Sequence, residues 1–224
     1  MFGHDPIANR REKSWLSAHL PQEPSLYAGL SALDHFDLVK AQRPSFDIDL
    51  GRRLLRDADV PADIAVRKLS GGQRVRVALA LVMATRCKVL ILDEPLANLD
   101  PLARRDVMAE LAEHARGEGS TVLNSSHLVG ELEGAFSHVI VMSRGQIVLM
   151  GSVNQVTQMY RTRLVANDRE EANVRRWFHG RDGARRILIP VDEAGEPDEV
   201  ASLEDVVIGM LAEARSETAQ HARA

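Results

Sequence analysis

The stretch RKLSGGQRVRVALALVMATRCKVLILDEPLANLDP, residues 67–101, decides how the rest of the chain is read. Within it, Val89 to Leu92 is a continuous apolar run of strand length that ends in two carboxylates, Asp93 and Glu94. An apolar run without alternation is the pattern of a central parallel strand covered on both faces, and open α/β sheets gather their ligands at the carboxyl ends of such strands. Upstream, Gly71-Gly72 opens a helix whose later part, Val75 to Met83, is apolar almost all round and is therefore expected to be buried. Downstream, Asp100-Pro101 supplies an N-cap and a proline for the first helical turn, starting a helix to about Arg116 that Gly117 and Gly119 stop.

The same rhythm continues on either side. Thr121 to Leu123 reads as another apolar strand ending in Asn124-Ser125-Ser126-His127, followed by a capped helix to about Ala135. His138 to Met142 and Gln146 to Met150, joined across Ser143-Arg144-Gly145, read as two strands that complete the core. Toward the N-terminus, Trp15 to Leu20 reads as a short strand stopped by Pro21-Gln22. Apolar residues at helical spacing between Glu23 and Lys68, with breakers at Pro44 and Pro61, predict a small helical subdomain over about residues 23–80. Strand–helix–strand alternation implies a right-handed parallel α/β core. After about Val156 the composition changes. Eight arginines lie between Arg161 and Arg186, Ile187 to Val191 reads as a strand, and DEAGEPDE reads as an acidic loop. Ser202-Leu203-Glu204-Asp205 caps a final helix to about Arg215, beyond which SETAQHARA is expected to fray. The organisation expected is a domain over residues 1–156 and an accessory domain over residues 157–224.

Bulk properties exclude several classes. A length of 224 residues with 45% apolar content can fill a sizeable core. A net charge of −4 and a pI near 6.1 argue against a general nucleic-acid or anionic-membrane binder, which needs a net basic face. The single cysteine, Cys87, excludes an internal disulfide and a multi-cysteine zinc site and suits a reducing compartment. The N-terminal residues lack an apolar core of the secretory kind. The longest strongly apolar stretch, Val77 to Thr85, falls far short of the roughly 20 residues that span a bilayer, so the chain is expected to be soluble.

The carboxylates suggest chemistry. Asp93 and Glu94 at the end of a buried strand are costly unless a cation or a hydrogen-bond network compensates them. Magnesium suits one carboxylate together with waters and a nucleotide's phosphates, while Glu94 can take a proton from an attacking water. Ser70, Gly71 and Gly72 present unhindered N–H groups at a helix start, fit to hold an anionic phosphate. Each motif alone also has a plain reading: carboxylates marking a strand end, and a flexible turn capping a buried helix.

In combination these motifs resemble the ATP-binding subunits of ABC transporters. Leu69 to Gln73 (LSGGQ) matches the signature motif and Val89 to Glu94 the Walker B motif; Ala97 to Asp100 matches the D-loop, His127 the switch histidine and Gln22, in HLPQEPSLY, the Q-loop, all in the family's order. The resemblance implies a P-loop NTPase-like (RecA-like) α/β fold, with a parallel sheet core, an inserted α-helical subdomain and a small C-terminal α/β extension. It implies ATP and Mg2+ as cofactors. Asp93 would hold the magnesium through water, Glu94 would deprotonate the attacking water, and His127 would hydrogen-bond the γ-phosphate. Gln22 would touch magnesium and water while reporting nucleotide state. Ser70, Gly71, Gly72 and Gln73 would close over nucleotide held by a partner subunit, and Asp100 would serve both the D-loop and its helix cap. The implied partners are a second ABC ATPase subunit in a head-to-tail dimer and a polytopic membrane permease, with no nucleic acid, and the implied place is the cytoplasmic face of the cell membrane. ABC-type heads of DNA-repair proteins put coiled coils or zinc modules between Q-loop and signature, whereas 46 residues separate Gln22 from Leu69 here. The tail SLEDVVIGML resembles the C-terminal helix of ATPase subunits serving ABC-2-type exporters, including drug exporters.

The sequence departs from the family at one place. GxxxxGK[ST], the Walker A loop that cradles phosphates, is absent: the lysines are Lys13, Lys40, Lys68 and Lys88, and Glu12 stands where a glycine would precede Lys13-Ser14. Three charge-assisted hydrogen bonds at about 1.5–3 kcal/mol each give on the order of 5–9 kcal/mol, so the isolated chain is expected to bind ATP negligibly. The chain reads as beginning partway through the domain. Either it is a shortened reading of an ordinary ATPase, the expected case because Asp93, Glu94 and His127 are intact, or it is a half-site subunit that completes a partner's site.

Overall fold

The computed structural model describes residues 15–132, 134–165, 176–195 and 198–221. The chain divides into two compact units, Met1–His127 and Leu128–Ala224.

The first unit is built on three parallel strands, β1 (Ser17–Leu20), β2 (Val89–Asp93) and β3 (Thr121–Ser125), in the order β1-β2-β3. β2 is central, as its apolar run predicts. The register pairs Leu20 with Leu92, Leu92 with Asn124, and Asp93 with Ser125. Because side chains alternate along a strand, this register puts Leu20, Leu90 and Leu92 on one face, where all three are buried. Val89 and Ile91 on the opposite face are only half-buried, so the expectation of equal cover on both faces is not met among the described residues.

The predicted helical subdomain is present. It consists of α1 (Ala32–Gln42), α2 (Ile48–Asp57), a 3-10 turn (Val66–Lys68) and α3 (Gly71–Met83). Phe36, Phe46, Leu55, Val66, Leu69 and Val77 form its core. Phe36 leaves little room: a Cβ on Gly51 of α2 would come within 2.9 Å of its ring, and this close approach explains a glycine inside a helix. α3 is buried from Val75 to Val82 apart from Leu81, but its burial includes a charge that the apolar pattern does not reveal. Arg76 reaches across to α4 (Pro101–Glu118), where its Nη1 donates to both carboxylate oxygens of Glu110 at 2.9 and 3.0 Å, and its Nη2 donates to the Ala103 carbonyl at 3.3 Å. The helix that opens on the glycine pair is thereby fastened to the helix that follows the carboxylates.

Several boundaries differ from the sequence reading. α4 runs through Gly117 to Glu118 and ends at Gly119, whose φ of 59° is the left-handed conformation that terminates helices; Gly117 alone lacks the geometry to stop it. β3 extends past Leu123 to Ser125, because backbone pairing to β2 continues regardless of the polar side chains. The helix expected to run to about Ala135 is one turn, α5 (Val129–Leu132).

In the second unit, β4 (His138–Ser143) and β5 (Gln146–Ser152) form an antiparallel two-stranded sheet of their own, turning through Arg144 and Gly145, both at positive φ. They form a separate sheet and do not complete the parallel one, contrary to the reading from sequence; the short turn through Arg144 and Gly145 pairs them antiparallel with each other. A second antiparallel sheet has the order β7-β8-β6-β9, from β6 (Tyr160–Leu164), β7 (Trp177–His179), β8 (Arg185–Pro190) and β9 (Glu199–Val200). Helices α6 (Val153–Gln158) and α7 (Leu203–His221) complete the unit. Ser202 and Asp205 cap α7 reciprocally as predicted, but the helix continues past Arg215 to His221. The sequence-based border at residues 156/157 falls inside this unit, because Val156 is buried in one cluster with Val141, Leu203 and Val207. Four of the arginines here are matched by acids: Arg163 pairs with Asp198, Arg176 with Glu213, Arg181 with Glu204, and Arg186 with Asp182 and Glu199. The Arg163 guanidinium and the Gly195 N–H together hold the Asp198 carboxyl down to about 2. The acidic loop therefore receives Arg163 and Arg186, whereas Arg176 and Arg181 pair with α7; Arg169 and Arg175 lie outside the described residues.

Candidate functional site

The residues singled out from sequence assemble in the first unit as two groups, with Gln22 close by. The first group sits at the carboxyl end of β2. There Asp93 is exposed to solvent and Glu94 is half-buried. Asp93 is therefore not the buried charge expected from sequence: β2 delivers it to its carboxyl end, exposed to water. Glu94 adopts φ 47°, a left-handed conformation uncommon outside glycine and found disproportionately at functional sites. Its carboxylate Oε1 lies 2.9 Å from His127 Nδ1, and its carbonyl accepts from the Ala97 N–H at 3.2 Å. Sequence reasoning missed one member. Ser125, opposite Asp93 in register, donates its hydroxyl to Asp93 Oδ1 at 2.7 Å and accepts the Glu94 N–H at 2.9 Å. Parallel pairing of two strands that both end in polar residues was the available signal.

His127 itself is about two-thirds exposed. Its contact in the structure is the Glu94 carboxylate, which joins the histidine to the candidate base. Gln22 is exposed two residues beyond the end of β1, and the pairing of Leu20 with Leu92 brings the ends of β1 and β2 side by side.

The second group is the start of α3. Ser70 is the N-cap: its Oγ accepts the Gln73 N–H at 3.2 Å, while the Gln73 side chain accepts the Ser70 N–H at 3.0 Å. This reciprocal box occupies Gln73 and leaves the amides of Gly71 and Gly72 at the helix mouth, where the first turn has no internal acceptors. A Cβ on Gly71 would meet nothing within 4 Å. At Gly72 it would contact Leu99 and the Asn98 carbonyl at ordinary distances, so the glycine pair lies against the turn that follows Glu94. That turn is fixed by Arg104, whose Nε donates to the carbonyls of Leu96 at 3.2 Å and Leu99 at 2.8 Å. Asp100 ends it as the N-cap of α4, accepting from the Leu102 and Ala103 N–H groups at 3.0 Å.

Those amides, Ala103's foremost, hold the Asp100 carboxyl below its ordinary range. A folded pKa below the unfolded one means that the cap contributes stability above the unfolded pKa and loses it as pH falls through the folded value. Asp100→Ala is expected to lower Tm near neutral pH, and the gap to the wild type should narrow as pH is taken below the ordinary aspartate range. Parallel melting curves across pH check this.

The donors suit a particular kind of ion. Among the described residues no three His, Cys, Asp or Glu side chains gather as a metal cage. An exposed single carboxylate, oriented by a hydroxyl, fits a hard divalent cation that keeps most of its waters and takes its other ligands from phosphates. The open amides at the start of α3 fit an anionic oxygen approaching from outside the chain.

Comparisons with known proteins agree with this geometry. Residues 5–97 match the family model described as ABC transporter. The energy-coupling factor transporter ATP-binding protein EcfA2 of Clostridium perfringens is 46% identical over 88 residues, which is 39% of this chain and 31% of that protein. The lipopolysaccharide export system ATP-binding protein LptB of Escherichia coli K12 is 30% identical over 146 residues, 62% of this chain and 60% of that protein. The chain spans about a third of the length of the EcfA-type relatives it matches. Among solved structures, the ATP binding subunit of an ABC transporter superposes with a TM-score of 0.62 at 21% identity, covering 70% of this chain and 68% of the other. A bacterial ABC transporter cassette solved as a dimer gives 0.54 at 22% identity, covering 60% and 61%. The fold is the one these solved ATP-binding subunits share, mixed α/β with a parallel sheet.

Proposed function

We propose, from the ABC transporter ATP-binding domain carried by residues 5–97, that this chain is an ATP-hydrolysing subunit working with a second ABC ATPase subunit and a separate membrane permease. The observation that carries the reading is the Asp93–Ser125–Glu94–His127 network at the carboxyl end of the central strand. In it, Asp93 would hold a Mg2+ ion, which when bound would neutralise charge on the phosphates. Glu94, held at its amide and carboxylate, accepts a proton from the attacking water. His127 leaves Glu94 to hydrogen-bond the terminal phosphate, and Gln22 reports from the neighbouring strand end. Ser70, Gly71 and Gly72 offer a hydroxyl and two amides to the nucleotide of the facing subunit, with Gln73 bracing the cap and Asp100 holding the adjoining turn.

Attachment to the cytoplasmic face of a membrane through the permease follows from that partnership. Export is the direction we favour: the LptB match covers more of this chain than the EcfA matches do, and the tail SLEDVVIGML resembles that of ABC-2-type exporter subunits.

A second reading has its own support. The open amides of Gly71 and Gly72 at the start of α3 also suit a non-catalytic half-site that lends its signature residues to a partner's nucleotide. ATPase assays of the chain alone, and mixed with an ABC subunit bearing GxxxxGK[ST], test both. We expect activity only in the mixture. Gly71→Asp should remove at least about tenfold of it, because a carboxylate set before the amides repels phosphate while the open surroundings and the intact Ser70–Gln73 box keep the helix folded. A mixture no more active than the partner by itself would defeat both readings.

A further inference from the structure

We infer that Ser125 is a positioning residue that sets the metal-holding carboxylate and the base with one hydroxyl group. The inference rests on the reading of Asp93 and Glu94 given above. A serine hydroxyl has one proton and two lone pairs. Here the proton goes to Asp93 Oδ1, and a lone pair takes the Glu94 N–H, so the side chain bridges two consecutive residues of the neighbouring strand end. The bridge sits where it is needed. Glu94 turns at φ 47°, and a non-glycine residue keeps such a conformation only when its surroundings over-determine it. Three atoms of Glu94 are held: the amide by Ser125, the carbonyl by the Ala97 N–H, and the carboxylate by His127. Of these holds, only the first is shared with Asp93. Loss of the hydroxyl therefore loosens both carboxylates together, whereas loss of His127 frees only one.

Register makes the assignment specific. Ser125 faces Asp93 because β2 and β3 pair in parallel with Leu92 opposite Asn124; moving the serine by one place would carry it to the other face of the sheet. Ser125 is exposed, so threonine, with an extra methyl and the same hydroxyl, fits there and suits a strand.

The test uses the full chain and two variants. In Ser125→Ala, hydrogen exchange of the Glu94 amide, followed by NMR, should quicken about fivefold relative to the amides of Ile91 and Leu92, the amount one hydrogen bond accounts for. Ser125→Thr should stay within about twofold of the wild type. In the ATP-hydrolysing mixture, Ser125→Ala should lower kcat about tenfold or more and raise the Mg2+ concentration for half-maximal rate, with KM for ATP little changed, and threonine should restore both. A general loosening of the fold would move every amide in β2 and would not spare KM. Unchanged Glu94 exchange in Ser125→Ala, or failure of threonine to restore it, overturns the inference. A wild-type mixture without ATPase activity would instead overturn the proposed function, and the exchange measurement would still decide the role of Ser125.

Discussion

Where turnover runs against Asp93 and Glu94 of this chain, Glu94→Gln is expected to lower it by about 10²–10⁴-fold, the usual contribution of a positioned general base, while leaving the binding of nucleotide nearly unchanged. Glutamine has the same shape and still accepts from His127, so the left-handed turn, the Ser125 contact to the backbone amide and the Ala97 N–H on the Glu94 carbonyl stay in place. Only proton acceptance is removed. Steady-state kinetics of the mixture measures the effect as a fall in kcat at constant KM. Together with Gly71→Asp, this variant separates the two readings of the chain. If turnover occurs against Asp93 and Glu94 of this chain, Glu94→Gln abolishes it. If this chain only completes a partner's site, Glu94→Gln leaves turnover intact and Gly71→Asp removes it.

Arg76→Leu should be the most damaging single change to stability, at about 3 kcal/mol, because it leaves the Glu110 carboxylate without its partner in a largely buried position. The Arg76 side chain is 10% exposed and that of Glu110 26%. Burial already pushes the Glu110 carboxyl up, and Arg76 is the chief opposing influence. Without Arg76 the folded pKa rises further above the unfolded one. For an acid shifted in that direction the penalty is full at high pH and disappears as pH falls below the unfolded value, so the loss should be larger at pH 7 than near pH 4. Urea unfolding at the two pH values checks the sign. The double variant Arg76→Leu/Glu110→Leu should recover much of the loss, since an apolar pair buries no unmatched charge.

Much of the site was legible along the chain. LSGGQ, VLILDE and the Asp100-Pro101 cap are local patterns, and the structure forms α3, β2 and α4 where those patterns put them. Local chemistry is enough for such elements, as a cap satisfies orphan amides within three residues and an apolar run selects a strand with no reference to distant partners. Less local features escaped. Arg76 sits in a helix that otherwise reads as apolar, and only the approach of α4 shows why a charge is tolerated there. Ser125 looked like one more polar residue at a strand end. The hairpin of β4 and β5 was misassigned to the parallel sheet because its apolar runs fit either pairing, and the short turn at Arg144-Gly145 favours the antiparallel one.

The sequence by itself determined the candidate chemistry: two adjacent carboxylates after an apolar strand, a glycine pair at a helix start, a histidine after the next strand, and the order in which they come. Only the tertiary structure decided which atoms meet. The register of β2 against β3 puts Ser125 beside Asp93, the left-handed turn at Glu94 aims its carboxylate at His127, and the packing of α3 on α4 buries Arg76 against Glu110. These are contacts between residues some thirty positions apart, set by strand pairing and by burial, and neither quantity is carried by any short stretch of chain.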